Sequence, residues 1–182
     1  MGIVGELAKE LGAPERTLRR AVDVGAIHSR RPSERRLRLA DGERAYLRRN
    51  WPLLAELREA LRTEPRVRLA ILAGSLARGD DHALSDVDLV VDLRDENPLA
   101  RLRLAVRLEE KLGREVDVAS WKQVADDPLS LLQVLDEGRA IVDRDGAWRE
   151  LFERKSVIRR RAARSYNRQR EQASALKSRP LH

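Results

Sequence analysis

The sequence predicts an α+β fold, in which helices flank a small β-sheet and a helical segment precedes it. Residues 67–73 form an apolar run of strand length, and residues 86–92 alternate polar and apolar side chains as a strand does. Elsewhere apolar residues recur at helical spacing. Of the 182 residues, 42% are hydrophobic, which is enough to build a buried core around these elements.

Two short helices are expected at the start of the chain. The first covers residues 3–11 and ends at Gly12, and the second covers residues 15–24 and ends at Gly25. Two short helices joined by a tight turn are typical of a helix-turn-helix. The arginine-rich residues 27–40 could add a basic wing.

This N-terminal segment is a candidate DNA-binding element because clustered arginines can neutralise several phosphates. The alternative is a helical cap that only packs on the rest of the protein. The residues expected to contact DNA are Arg16, Thr17, Arg20, Arg30, Arg31, Arg35 and Arg36.

The rest of the sequence predicts two further helices, and these divide the chain into parts. A connecting helix is predicted near residues 41–63, and Pro52 should kink or split it. A long helix should begin at Ala147, and beyond Ala163 its apolar stripe fades, so the end of the chain is expected to fray. The predicted parts are a helix-turn-helix at 1–40, a connecting helix at 41–65, a core at 66–145 and a basic C-terminal helix at 146–182.

Charge is distributed unevenly over these parts. The net charge is +7, and it divides into +4 for residues 1–65, −5 for residues 66–145 and +8 for residues 146–182. An acidic middle between basic ends suits a cation-binding catalytic domain whose flanks meet an anionic partner. A general preference for arginine in the source genome would explain the basic ends equally well.

Cysteine is absent from the sequence, which excludes disulfides, thiolate metal sites and thiol nucleophiles. No apolar run is long enough to span a membrane, and no signal-peptide pattern opens the chain. We therefore expect a cytoplasmic protein without a membrane partner.

The most informative segment is residues 74–92, which read GSLARGDDHALSDVDLVVD. A Gly-Ser turn follows the apolar strand, and Asp86 and Asp88 are two residues apart, so they point to the same side of the next strand. Two carboxylates opposite a turn rich in free backbone N–H groups suit a metal–triphosphate complex. The segment therefore predicts a site for phosphate chemistry.

This segment also resembles a known signature. Gly-Ser-x-Ala-Arg-Gly, followed after a short gap by Ser-Asp-x-Asp-Leu-x-Val, is similar to the active-site motif of the DNA polymerase β-type nucleotidyltransferases, and most closely to their minimal branch. The resemblance covers about residues 66–145 and implies a small mixed β-sheet nucleotidyltransferase core flanked by helices. It implies that Asp86, Asp88 and Asp117, the last on a neighbouring strand, bind two Mg²⁺ ions, with Mn²⁺ as an alternative.

The same resemblance assigns a nucleotide site for NTP, expected to be ATP. Gly74 and Ser75 would hold the β- and γ-phosphates through backbone N–H groups and the Ser75 hydroxyl. Arg78 and Ser85 complete the candidate site. Arg78 could instead form a structural ion pair with a neighbouring aspartate, and Ser85 could instead position the loop.

Other nucleotide-binding motifs are excluded. Gly74 to Gly79 has the glycine spacing of a P-loop, but Asp80 and Asp81 stand where lysine and serine or threonine are required. No Gly-x-Gly-x-x-Gly occurs, so a dinucleotide-binding fold has no support.

Three functions remain open. The first is a Mg²⁺-dependent transferase that moves NMP to an acceptor hydroxyl; the resemblance implies that the acceptor can be a helical HEPN-type partner protein, as in toxin–antitoxin modules. The R-x(4–6)-H motif of such partners is absent, so this chain would be the transferase. The second is a small-molecule, antibiotic-type nucleotidyltransferase. The third is a non-catalytic DNA-binding regulator with a nucleotide-sensing pocket.

Overall fold

The structure, a computed structural model, describes residues 3–33, 36–82 and 85–177. The N-terminal part contains two helices, α1 (Ile3–Leu11) and α2 (Glu15–Val24), and an antiparallel hairpin of β1 (Arg30–Ser33) and β2 (Arg36–Arg38). The elements that follow are α3 (Asp41–Arg62), β3 (Val67–Leu72), α4 (Gly74–Arg78), β4 (Val87–Leu93), α5 (Pro98–Leu112), β5 (Val116–Ser120), α6 (Trp121–Asp126), α7 (Pro128–Glu137), β6 (Arg139–Asp143), α8 (Ala147–Glu153) and α9 (Lys155–Lys177).

Four of the strands form a mixed sheet in the order β5-β4-β3-β6. β3 runs antiparallel to both β4 and β6, whereas β4 and β5 are parallel and are connected by the crossover helix α5. The predicted α+β class with a small mixed sheet and flanking helices is confirmed.

Capping residues explain why the helices beside the sheet begin and end where they do. The Asn97 side chain accepts a hydrogen bond from the backbone of Ala100 at the start of α5, and Gly113 ends that helix in the left-handed conformation. Asp127 accepts from the backbone of Leu129 and Ser130 at the start of α7. The Ser130 hydroxyl also donates to Asp127 at 2.6 Å, and this bond, together with the backbone bonds, lowers the pKa of Asp127.

The sheet is covered on both faces, as the alternation along β3 shows. Ala70 and Leu72 belong to one apolar cluster, whereas Leu69 and Ile71 belong to another. The first cluster also contains side chains of the N-terminal helices, such as Leu18. The N-terminal helices therefore share a continuous core with the sheet.

The structure differs from two expectations about helices. Of the kink or split expected at Pro52, the split is wrong, because α3 continues from Asp41 to Arg62 with this proline inside it. The C-terminal helix does not fray after Ala163, since α9 extends to Lys177. Ile158 and Ala162 anchor α9 in the core, and arginine, glutamine and alanine, which favour helix, continue it beyond them.

Within residues 3–33, 36–82 and 85–177, no helix is both long enough and apolar enough to span a bilayer.

Candidate active site

The sheet brings two of the predicted acids face to face. Asp88 in β4 and Asp117 in β5 are register partners in the parallel pair, and adjacent strands lie about 4.8 Å apart. Asp86 directly precedes β4 and is two residues from Asp88, so it lies on the same side of that strand. Asp86 and Asp117 are exposed and Asp88 is half-buried. None of the three side chains is turned into the hydrophobic core.

The electrostatics of this edge centre on Asp88. Partial burial raises the pKa of Asp88, and the negative charges of Asp117 and Asp86 raise it further, while Arg78 opposes them. The carboxylates therefore carry negative charge that the nearby protein groups do not fully compensate.

The three acids fit a divalent cation by chemistry, since Mg²⁺ prefers carboxylate oxygens and keeps several waters. As placed, they do not converge on one point: within the described stretches, no group of three or more His, Cys, Asp or Glu side chains is close enough to hold a metal ion.

The Gly-Ser turn packs directly against Asp88. Gly74 begins α4 with a positive φ of 64°, and a Cβ added there would overlap Oδ2 of Asp88 and lie 2.9 Å from its Cγ. The neighbouring Ala73 N–H donates to the backbone carbonyl of Asp88 at 2.8 Å. Only glycine allows this approach of the turn to the carboxylate.

A cleft of about 300 Å³ opens beside these residues. Gly74, Asp88 and Asp117 line it on the sheet side, and α7 forms the opposite wall with three polar residues that sequence reasoning missed: Ser130, Gln133 and Glu137. The sequence did carry a signal for them: counted from the Asp127 cap, successive members of this set are three or four residues apart, which places them on one face of the helix. The volume is at the lower end of the range for small-molecule sites.

Arg78 is engaged by carboxylates. Its Nε donates to Asp80 at 3.1 Å and its Nη1 to Glu137 at 3.2 Å, and these two bonds raise the pKa of the guanidinium. The ion-pair alternative from the sequence therefore forms with Asp80, whereas Asp81 pairs with Arg49 at 3.0 Å. The pair with Glu137 connects α4 to α7 across the cleft.

Ser85 and Ser75 differ in their surroundings. Ser85 is buried, and its Oγ accepts from the backbone N–H of His82 at 3.0 Å, so its hydroxyl holds the loop together. Ser75 is half-buried in α4, one residue after Gly74.

The candidate DNA-binding residues are spread over different surroundings. Arg16 is exposed on α2, whereas Thr17 and Arg20 line a cleft that α2 forms with α3 and β6. Arg30, Arg31 and Arg36 lie on the two hairpin strands, but their side chains and the whole of Arg35 fall outside the described residues.

Comparison with known proteins shows the family. A family model described as Polymerase beta, Nucleotidyltransferase matches residues 55–147, about half of the chain. A curated relative from Methanocaldococcus jannaschii, named as a protein adenylyltransferase, is 38% identical over 72 residues, which are 39% of this chain and 75% of the relative.

Solved structures share the fold. A chain in the complex of a tri-AMPylated Shewanella oneidensis HEPN toxin with an MNT antitoxin is 22% identical with a TM-score of 0.50, and the match covers 70% of this chain and 98% of that chain. A chain of a toxin–antitoxin crystal structure with AMP-PNP is also 22% identical, with a TM-score of 0.48 and coverage of 68% and 94%.

Proposed function

The chain belongs to the polymerase β nucleotidyltransferase family and is a nucleotidyltransferase, and from this premise we propose that it moves AMP from ATP to a hydroxyl group of a partner protein. The observation that carries the proposal is the pairing of Asp88 with Asp117 across two parallel strands, with the backbone of Gly74 against the Asp88 carboxylate. The name of the relative from M. jannaschii supports a protein as acceptor.

In this proposal Asp86, Asp88 and Asp117 hold the divalent cations. Mg²⁺ at two positions, with Mn²⁺ as a substitute, would neutralise the triphosphate and lower the pKa of the acceptor hydroxyl. Burial and then the charges of Asp117 and Asp86 raise the pKa of Asp88, and this supports the role because a bound cation would offset the repulsion among the three acids.

The protein groups position the nucleotide and accept a proton. Gly74 and Ser75 would offer backbone N–H groups and a hydroxyl to the β- and γ-phosphates. The missing side chain at Gly74 leaves room for the Asp88 carboxylate beside this turn. Arg78 would contact phosphate by exchanging Asp80 or Glu137 for it. We assign Ser85 to holding the loop beside the nucleotide.

The transfer itself is an in-line displacement at the α-phosphorus. The acceptor oxygen forms a bond to phosphorus while the bond to the pyrophosphate oxygen breaks. The hydroxyl proton passes to the exposed carboxylate of Asp117. Catalysis is then mainly positioning and charge stabilisation.

For the acceptor we propose a helical HEPN-type protein, as in toxin–antitoxin modules. The motif in residues 74–92 supports this assignment through its resemblance to minimal nucleotidyltransferases. We place the reaction in the cytoplasm, where ATP and Mg²⁺ are both present.

The test is transfer of label from radioactive ATP, in the presence of Mg²⁺, to the protein encoded beside this one. Asp88→Asn should reduce labelling at least about a hundredfold, which corresponds to about 2.7 kcal/mol of barrier. Asp92→Asn is the matched control, because Asp92 lies on the same strand but pairs with Arg68 at 3.7 Å and lies outside the cleft lining. Equal labelling by the Asp88 variant and the wild type would refute the role of Asp88.

A small-molecule acceptor is the second candidate. The charged residues that line the cleft, Asp88, Asp117 and Glu137, are all acidic, which suits a cationic substrate such as an aminoglycoside. AMP transfer to such a compound without a partner protein would favour this function.

DNA binding by the N-terminal segment remains a separate proposal. Its support is the order of two helices and a hairpin, and the exposed position of Arg16 on α2. A non-catalytic regulator is the corresponding alternative, and Mg²⁺-dependent transfer of label would exclude it.

A further inference from the structure

A second cleft, of about 410 Å³, lies where α2, α3 and the edge strand β6 meet. It shares no lining residue with the candidate active site. We call it the arginine cleft, because four of its lining residues are Arg20, Arg58, Arg62 and Arg144. Thr17 of α2 also lines it.

Three of these arginines have no carboxylate partner among the residues that the structure describes. Arg58 is half-buried, and it donates to the backbone carbonyl of Ile141 at 3.3 Å. Burial lowers the pKa of Arg58, and the charge of Arg20 lowers it further. Arg144 donates to backbone carbonyls, including that of Val67 at 2.7 Å.

The cleft contains only limited negative charge. Glu59 is paired with Arg62 at 2.6 Å. Asp143 accepts from the Trp148 backbone through Oδ2 at 3.2 Å, and its Oδ1 is buried without a partner. Four guanidinium groups therefore face two carboxylates, one of which is already paired.

Elsewhere in the molecule a buried arginine has a counter-ion. Arg139 is 3% exposed and binds Glu43 through both terminal nitrogens. Keeping Arg58 half-buried beside Arg20 without such a partner is unfavourable, unless an anion enters the cleft.

We propose that the arginine cleft binds a phosphate group. Guanidinium forms paired hydrogen bonds with phosphate, and a phosphate has enough terminal oxygens to accept from Arg20, Arg58 and the Thr17 hydroxyl together. A carboxylate has two oxygens in one plane, whereas phosphate oxygens are arranged tetrahedrally, so even the two terminal oxygens of a phosphodiester can accept from donors on different sides. The phosphate can come from a nucleic-acid backbone or from a free nucleotide.

The test compares Arg58→Gln and Arg20→Gln with the wild type in two assays. Fluorescence anisotropy with a labelled 20-base-pair DNA duplex gives affinity as a function of salt. Thermal unfolding is measured without divalent metal and at constant ionic strength. It gives the rise in melting temperature that inorganic phosphate or AMP causes relative to chloride. Arg19→Gln is the matched control, because Arg19 is an exposed neighbour on α2 that pairs with Glu15 at 3.0 Å.

If nucleic acid is the source, each cleft variant should lower the slope of log affinity against log salt by about 1, while Arg19→Gln leaves it unchanged. If the source is a free nucleotide, DNA binding is unaffected, and stabilisation by phosphate or AMP is lost only in the cleft variants. Unchanged behaviour of both cleft variants in both assays would overturn the proposal. Folding of Arg58→Gln is checked by its melting temperature, and Arg20, being exposed, provides a variant that should fold normally.

These outcomes do not depend on nucleotidyl transfer. Labelling of the acceptor should stay at the wild-type level in the Arg58 variant, because Arg58 does not line the candidate active site. Failure of the phosphate site therefore leaves the proposed transfer untouched, and the reverse also holds.

Discussion

At Asp88, a half-buried carboxylate lies against a glycine backbone and close to two further carboxylates. The position is electrostatically unfavourable for the empty protein, because burial and like charges both oppose ionisation. Such a position is useful when a cation binds there, since the same negative charge then attracts the ligand. Residues that serve binding in this way commonly reduce stability.

The raised pKa of Asp88 predicts how stability depends on pH. A carboxyl whose pKa is higher in the folded than in the unfolded state stabilises the protein at pH values below its unfolded pKa of 3.8. This stabilisation is lost as the pH rises through the folded pKa. Without divalent metal, Asp88→Asn should therefore melt a few degrees above the wild type at pH 7, and the difference should shrink toward pH 4. Thermal unfolding from pH 4.5 to 7.5 checks this. The effect is modest because solvent screens the partly exposed group.

The same variant separates the metal role from a structural role. Mg²⁺ should raise the melting temperature of the wild type and have a smaller effect on Asp88→Asn. A variant that melts below the wild type at pH 7 would contradict the electrostatic account of this residue.

Gly74 allows a sharper comparison. Gly74→Ala should cost about 1–3 kcal/mol of stability and reduce transfer at least about a hundredfold, because the new Cβ would force the Asp88 carboxylate to move. Gly113→Ala is the control: its φ of 62° is almost the same as the 64° of Gly74, but a Cβ there would meet nothing within 4 Å. It should lose stability of a similar order and keep its activity. Equal loss of activity in both variants would show that the overlap with Asp88 is not decisive.

At the scale of elements, a buried ion pair connects β6 to three other parts of the chain. Arg139 at the start of β6 bonds Glu43 of α3, the carbonyl of Ala77 in α4 at 2.8 Å and the carbonyl of Ala26 at 3.2 Å. Tyr46 of α3 stacks under the same guanidinium at 3.5 Å and donates to Leu76 in α4. α4, which begins at Gly74 of the Gly-Ser turn, is therefore held in place by α3 and β6.

Arg139→Met should destabilise the fold by about 3–5 kcal/mol, because it leaves Glu43 buried without its partner. A double variant with Glu43→Leu should recover part of this loss, since no unpaired charge then remains. Denaturant unfolding of both variants measures the difference. If the double variant is no more stable than Arg139→Met, the unpaired carboxylate is not the cause.

These elements also show how far the sequence could be interpreted. Local signals mark the starts of α5 and α7, where the caps Asn97 and Asp127 stand next to prolines. The motif around Asp86 and Asp88 predicts the candidate site. The pairing of Glu43 with Arg139 could not be predicted, because the two residues are 96 positions apart and only the packing of α3 on the sheet brings them together. Spacing places Ser130, Gln133 and Glu137 on one face of α7, but only the packing of α7 beside the sheet brings that face to the cleft.

At the scale of the whole molecule, one apolar cluster joins the N-terminal helices to the sheet. Leu18 of α2 and Leu72 of β3 are both fully buried in it. A core shared in this way predicts that the two parts unfold together, whereas a helix-turn-helix with its own core, ending near residue 40, would unfold separately.

Leu18→Ala tests this coupling, because it removes a fully buried side chain on the N-terminal side of the shared core. The substitution should cost about 2–5 kcal/mol of stability and lower the melting temperature. Unfolding should remain a single transition, with the same midpoint by far-UV circular dichroism and by tryptophan fluorescence. Trp51 and Trp148 report on α3 and on the opposite face of the sheet, since both are buried. Leu99→Ala is the control: Leu99 is 62% exposed on α5, and its loss should change stability by no more than about 0.5 kcal/mol. Two separate transitions in the Leu18 variant would instead support an independently folding N-terminal domain.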